Sequence, residues 1–201
     1  MTEILPSRAT EKQDRIARAA TTLFLRDGIR ATSMEAIAAE SGIAKATLYG
    51  VFKNKDEVFA AVVDMFAAQL VAAVRAAIAE PGTVEERITA GICAKQNMAF
   101  DTIYASPHAA ELMGAKTSYA NECVQEADDE IVRLLERVLK SDPQTAKGAH
   151  MSAQALFFAS IGIADHTDSK TNAFRRIEEL AETYLTGVRA RQKHSQGRNR
   201  K

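Results

Sequence analysis

Residues 33–52, SMEAIAAESGIAKATLYGVF, carry two helix signals of about two turns each on either side of one glycine. Neither is long enough to be stable alone in water. Two such helices persist only by crossing steeply and packing on further elements. That packing needs a small side chain at the crossing, a glycine for the left-handed turn position, and apolar residues that lock the second helix down. Ile37 and Ala38 precede Gly42 by five and four positions, Ile43 follows it, and Leu48 and Val51 lie five and eight beyond Ile43. The spacing therefore predicts a helix-turn-helix, although a plain two-helix corner of a helical core fits it as well. Lys45, Ala46, Thr47, Tyr49 and Gly50 then face outward on the second helix. Side chains of these sizes and polarities reach phosphates, thymine methyls and base edges.

The remaining chain shows helical period nearly throughout and no sustained alternation with hairpin dipeptides, so the fold is expected to be all-α. Helices are expected over 11–27, from Thr32 or Ser33 to Ser41, over 44–52, and from a cap at Asn54 to Glu80-Pro81-Gly82. Further helices are expected over 83–104, from Ser106-Pro107 to Gly114, and over 118–140, 144–164 and 170–190, about nine in all. The tail RQKHSQGRNRK reads as a basic disordered end. The domain organisation expected is a helix-turn-helix domain over 1–54, a helical body over 55–190 and a tail over 191–201.

The 26 Lys and Arg balance 26 Asp and Glu, which argues against a wholly electrostatic nucleic-acid binder. The distribution is uneven. Residues 61–188 carry 11 basic and 18 acidic side chains, whereas residues 189–201 carry 6 basic and none acidic. No apolar run approaches the roughly 18 residues of a membrane span, and MTEILPSRATEKQDR is too polar for a signal peptide, so a cytoplasmic protein without a membrane partner is expected. Cys93 and Cys123 lack CxxC-type spacing and read as small hydrophobes.

From Arg15 to Val63 the sequence resembles the DNA-binding domain of TetR-family transcriptional regulators. The resemblance rests on the helix ending LFLRDG and on ATSMEAIAAESGIAKATLYGVFKNKDEVF, within which IAAESGIAKATLYGVFKNKDE is similar to the family signature. It implies a three-helix head whose third helix enters the major groove of double-stranded DNA. A fourth helix would join this head to a helical body that binds a ligand and forms a homodimer. Carried over by position, Ser33, Lys45, Thr47, Tyr49 and Lys55 would touch DNA, with Ala46 on the same face. Ser33 and Lys55 open helices, where free backbone N–H groups favour a phosphate. The sequence departs from the family at Ala44, where Ser is usual, at Ala46, where Gly is usual, and at Gly50, where His or Tyr is usual. These changes thin the expected base readout.

In the resembling family the last two helices of each subunit form the dimer interface. That assigns Ala155, Leu156, Ala159, Ile163, Phe174, Ile177 and Tyr184 to a seam, although packing within one chain would use the same residues. For an effector pocket the candidates join apolar bulk to polar tips: Phe66, Gln69, Gln96, Phe100, Tyr104, Met113 and Tyr119. None is strongly charged, so a neutral, partly aromatic small molecule is expected.

No Ser/His/Asp order, Gly-rich phosphate loop or paired-carboxylate motif is present, so no enzyme and no cofactor are expected. His108 and Glu111 at i, i+3, and Asp165-His166, lack a placed third metal ligand and read as ordinary polar side chains. Glu126, Asp128, Asp129 and Glu130 read as a solvated helix face. The resulting expectation is a repressor released from a palindromic operator by its effector. A helical small-molecule binding protein that does not act through DNA is the alternative.

Overall fold

The computed structural model describes residues 8–115, 118–167 and 169–198, with the backbone alone for 8–10, 113, 118–120 and 194–198. Among these residues the structure is all-α: ten helices, one π-turn and no strand. The helices are α1 (Arg8–Asp27), α2 (Met34–Ser41), α3 (Lys45–Val51), α4 (Lys55–Ala79) and α5 (Val84–Ala99). After a π-turn at Phe100–Tyr104 come α6 (Ala109–Gly114), α7 (Ser118–Lys140), α8 (Pro143–Ala146), α9 (Ala149–Asp165) and α10 (Lys170–Arg198).

The chain forms two compact units, each built from two stretches of sequence. The head holds the described residues up to Ala68 together with 101–125, and the body holds 69–100 with the chain from Glu126 on. Helix α4 therefore supplies Val58 and Phe59 to one core and Val74 and Ile78 to the other. This helix is long and apolar enough, on composition, to cross a bilayer, which corrects the reading of the sequence. Its most deeply buried residues are nonetheless taken up by the two protein cores.

In the head, α1 turns Ile16, Ala20, Leu23 and Phe24 inward, and Phe24 meets Phe59 edge to face at 6.0 Å. Ser33 caps α2 by accepting the Ala36 N–H at 3.1 Å. Gly42 ends it at φ 61°, ψ 29°, with its N–H on Ala39 O and the Ile43 N–H on Ala38 O. That closing geometry needs a left-handed residue and lets the chain enter α3 after two residues. Asn54 Oδ1 accepts the Glu57 N–H while Glu57 Oε2 accepts the Lys53 N–H, so α4 opens with a variant of the capping box in which Glu57 reaches one residue before the cap.

The body is a layered helical core centred on Ile88, Ile131, Leu135, Phe157, Ile177 and Leu185, all within 1% of complete burial. Thr83 and Glu86 form the capping box of α5. Several boundaries differ from expectation, among them the start of α6, which opens at Ala109 and not at Ser106-Pro107. The single helix expected over 144–164 is broken, because Asp142 and Pro143 start α8, Lys147 is extended, and Gly148 at φ 78° restarts the chain as α9. The helix expected over 83–104 does run to Tyr104, but its α-helical part stops at Ala99 and Phe100–Tyr104 is wound as a π-helix. Helix α10 continues to Arg198, through most of the stretch whose composition suggested disorder.

Candidate nucleic-acid interface

Helix α3 lies across the head core with Leu48 fully buried, and this fixes which residues face out. Lys45, Ala46, Tyr49 and Gly50 are exposed, and Thr47 is half-buried. Tyr49, at 42% exposure, is among the exposed large hydrophobic side chains. Ser33 is exposed beside its own cap bond. Five of the six residues assigned to DNA by sequence are thus available on the head surface or at its edge.

The charges on this face are already organised. Lys45 Nζ lies 2.5 Å from Glu35 Oε1 and 5.9 Å from the centre of the Tyr49 ring. The hydrogen bond with Lys45 lowers the Glu35 pKa, and the same bond raises that of Lys45. Both side chains are solvent-exposed, so the pair is weak and exchangeable for a phosphate or a base edge. Arg15 reaches from α1 to Gly42 O at 3.4 Å, tying the turn to the first helix.

Lys55 differs from expectation. Its ammonium donates to Ile29 O at 2.6 Å and Thr32 O at 2.9 Å, with Arg30 O at 3.4 Å. An ammonium has three protons, and here three carbonyls of the loop between α1 and α2 receive them. The side chain is a staple of that loop rather than a free phosphate ligand.

The residues assigned to an effector are divided between the units. Phe66 and Tyr104 belong to the head and are half-buried, whereas Gln69, Gln96 and Phe100 belong to the body. Met113 and Tyr119 are among the residues whose side chains are not described. Gln96 is buried and donates from Nε2 to Ser160 Oγ at 3.1 Å, Ser160 in turn donating to Phe157 O at 2.6 Å. Phe100 packs edge to face on Phe174 at 6.3 Å, joining a residue assigned to ligand with one assigned to the seam. Gln69 is exposed.

Lys95 escaped the sequence reading. Its ammonium stands 5.4 Å from the centre of the Phe157 ring. Burial lowers its pKa, against the opposing pull of Asp128 and Asp165, and burial likewise raises that of Asp128. A Lys on an otherwise mixed helix carries no local signal for such a position.

The seam residues also sort by face. Leu156 and Ile177 are 1% and 0% exposed within the single chain, so their side chains belong to its own core and cannot line a subunit surface. Ala155 and Ala159 are exposed, and Ile163, Phe174 and Tyr184 are half-buried. The exposed stripe of α9 is Met151, Ala155, Phe158, Ala159 and Gly162, with Met151 and Phe158 at 70% and 50% exposure. The i, i+4, i+7, i+8, i+11 spacing of these residues was present in the sequence, but so was the inward stripe beside it.

Among the described residues no cluster of His, Cys, Asp and Glu is arranged to hold a metal.

Residues 16–62 match the family described as bacterial regulatory proteins, tetR family. Solved structures resemble the chain over nearly its whole length. A Mesorhizobium loti protein assigned to the TetR-family transcriptional regulators is 21% identical, covering 90% of this chain and 98% of its own, with a TM-score of 0.69. A TetR/AcrR-family regulator from Thermobifida fusca is 22% identical over 85% and 96% of the two chains, at 0.68. A TetR-like regulator from Rhodococcus sp. RHA1 is 25% identical over 91% and 100%, at 0.62. No curated protein matches the chain.

Proposed function

We propose that the chain is a DNA-binding transcriptional regulator of the TetR family, a homodimeric repressor released from a palindromic operator by a small molecule. The observation that carries this reading is the outer face of α3, where Lys45, Tyr49 and the small Ala46 and Gly50 stand exposed over a buried Leu48. Small residues let the helix approach a groove closely, and Lys45 and Tyr49 supply the polar ends. Ser33 adds a hydroxyl at the start of α2. The apolar stripe of α9 supplies the second half of the reading, because a two-fold dimer matches two recognition helices to two half-sites. An exposed Phe and Met on one helix face suit such a seam.

The effector is proposed to be neutral and partly aromatic and to bind within the body. Lys95 does not overturn that choice, since Asp128 and Asp165 already oppose its charge. Gln96 would orient the ligand through an exchange of its Ser160 partner. Binding is coupled to DNA release by linkage, so effector and operator weaken each other by the same factor.

The test is footprinting and fluorescence anisotropy on the DNA upstream of the gene. Protection of two half-sites about one helical turn apart is expected. Tyr49→Phe should weaken all duplexes alike, whereas replacing Lys45 or Thr47 should change which bases matter. Ala159→Arg should yield monomers with little operator affinity. A protein that binds no duplex, or that footprints as a monomer on one half-site, would overturn the reading.

A further inference from the structure

We infer that Glu111, with Ser106 beside it, is a positioning residue of the DNA-binding head, although both lie far along the chain from the helix-turn-helix. The inference rests on the DNA-binding reading above. It begins at the loop from Gly28 to Thr32, which joins α1 to α2 and delivers Ser33 to its capping position. The Gly28 N–H bonds Phe24 O at 3.1 Å, and the buried Thr32 hydroxyl donates to Gly28 O at 2.7 Å. These two bonds close the loop on itself. Its outward polar groups are satisfied from elsewhere in the chain.

Two distant side chains do this from opposite polarities. The Lys55 ammonium takes the carbonyls of Ile29 and Thr32. The Glu111 carboxylate takes the Arg30 backbone N–H, Oε1 accepting at 2.8 Å, with the Arg30 Nε at 4.0 Å. Cation on carbonyl and anion on amide fix both faces of the peptide run.

The approach of Glu111 is close enough to constrain the sequence of the loop. Gly28 adopts φ +85°, and a Cβ there would stand 2.5 Å from Glu111 Oε2 and 2.9 Å from His108 Nδ1. No side chain fits. Ser106 adds a second tie by donating from Oγ to Leu25 O at 2.7 Å while accepting the His108 N–H at 3.0 Å. Leu112, one residue beyond Glu111, packs against the head core. The stretch that begins at residue 101 is thereby built into the head, which agrees with its membership of that compact unit.

The consequence for DNA concerns the entry of α2. With the loop held, the N-terminus of α2 and Ser33 keep one orientation relative to α1 and α4. Released, the competent orientation becomes one of several, and apparent affinity falls by the fraction that remains competent. This prediction has the opposite sign to simple electrostatics. Removing an anion from a DNA-binding unit should by charge alone tighten binding.

The experiment uses the full chain and a labelled 30-base-pair duplex taken from directly upstream of the gene, titrated at several salt concentrations. Glu111→Ala should weaken binding about tenfold, from the loss of a charge-assisted hydrogen bond. Its salt slope should be unchanged, because the number of phosphates contacted is the same. Glu111→Gln keeps an acceptor without the charge and should stay within about twofold of wild type. Ser106→Ala should move the same way as Glu111→Ala by about threefold, and it guards against a Glu111 variant that fails to fold. Wild-type or tighter binding by Glu111→Ala overturns the inference, as does a Gln variant as weak as the Ala one. If the wild type itself leaves the duplex unbound, the DNA reading falls instead, and the two failures are told apart by that control.

Discussion

The head and the body bury apolar side chains alike, but they secure their irregular segments differently. In the head, the loop from Gly28 to Thr32 hangs on the Lys55 ammonium and the Glu111 carboxylate. In the body, Leu135 and Phe157 sit within a broad apolar cluster, and Gln96 with Ser160 forms a buried polar pair inside it. Directional bonds fix geometry tightly, which suits the DNA-facing role proposed for this surface. They also concentrate risk, since single residues hold several backbone groups. The body also ties irregular segments from a distance, Arg189 reaching Glu85 and Asp142 and Gln192 donating to Lys147 O, but none of these gathers three backbone carbonyls on one ammonium as Lys55 does.

The largest expected effect is in the body. Leu135→Ala, at a site with no exposure, should cost about 2–5 kcal/mol in urea unfolding. DNA affinity of the folded fraction should hold, and a parallel loss of affinity would show that the two units are not secured independently. Next comes the head. Lys55→Met leaves the carbonyls of Ile29 and Thr32 without their donor and should destabilise the head by about 1–3 kcal/mol, read as faster amide exchange in α1 and α2. A variant that keeps its exchange rates but shows a shallower salt slope would return Lys55 to the phosphate backbone.

A smaller effect of opposite sign is expected on α3. A Cβ at Gly50 would meet nothing within 4 Å, so Gly50→Ala should raise head stability by up to about 1 kcal/mol through helix propensity. A loss instead would mean that α3 needs the glycine for something other than its fold. The last effect is confined to alkaline pH and concerns the body. Burial, helped by the Glu178 charge, pushes the Cys93 thiol up to about 11 from an ordinary value near 9. The unfolded thiol ionises first, so this group's stabilisation is full below pH 9 and is lost as pH rises toward 11. Cys93 should resist alkylation at pH 8 in the folded protein. Alkylation at the rate of a free thiol would place it outside the body's packed interior.

Short-range features were legible in the sequence because their partners lie within a few residues. The Ser33 cap, the Gly42 turn, the Asn54 and Glu57 pair and the Thr83 capping box all close over five positions or fewer. The outward face of α3 followed from the same local logic, given one buried Leu48. The family resemblance is the ground on which that face is proposed to meet DNA. It does not serve for Lys55, where a residue type suited to phosphate is occupied by carbonyls 23 to 26 positions back in the chain.

What the tertiary structure alone decided is which of two possible stripes on a helix turns inward and which charges find partners. Leu156 and Phe158 are equally apolar candidates in the sequence, yet one is enclosed and the other half exposed. Glu111 and Arg30 are separated by 81 positions. A side chain's hydrophobicity and its local caps are properties of the chain near it, so periodicity and spacing determined the all-α fold and the helix-turn-helix. The facing of α9, the staple at Lys55 and the hold of Glu111 on the loop depend on how helices cross, and crossing is set by the summed packing of residues far apart in sequence.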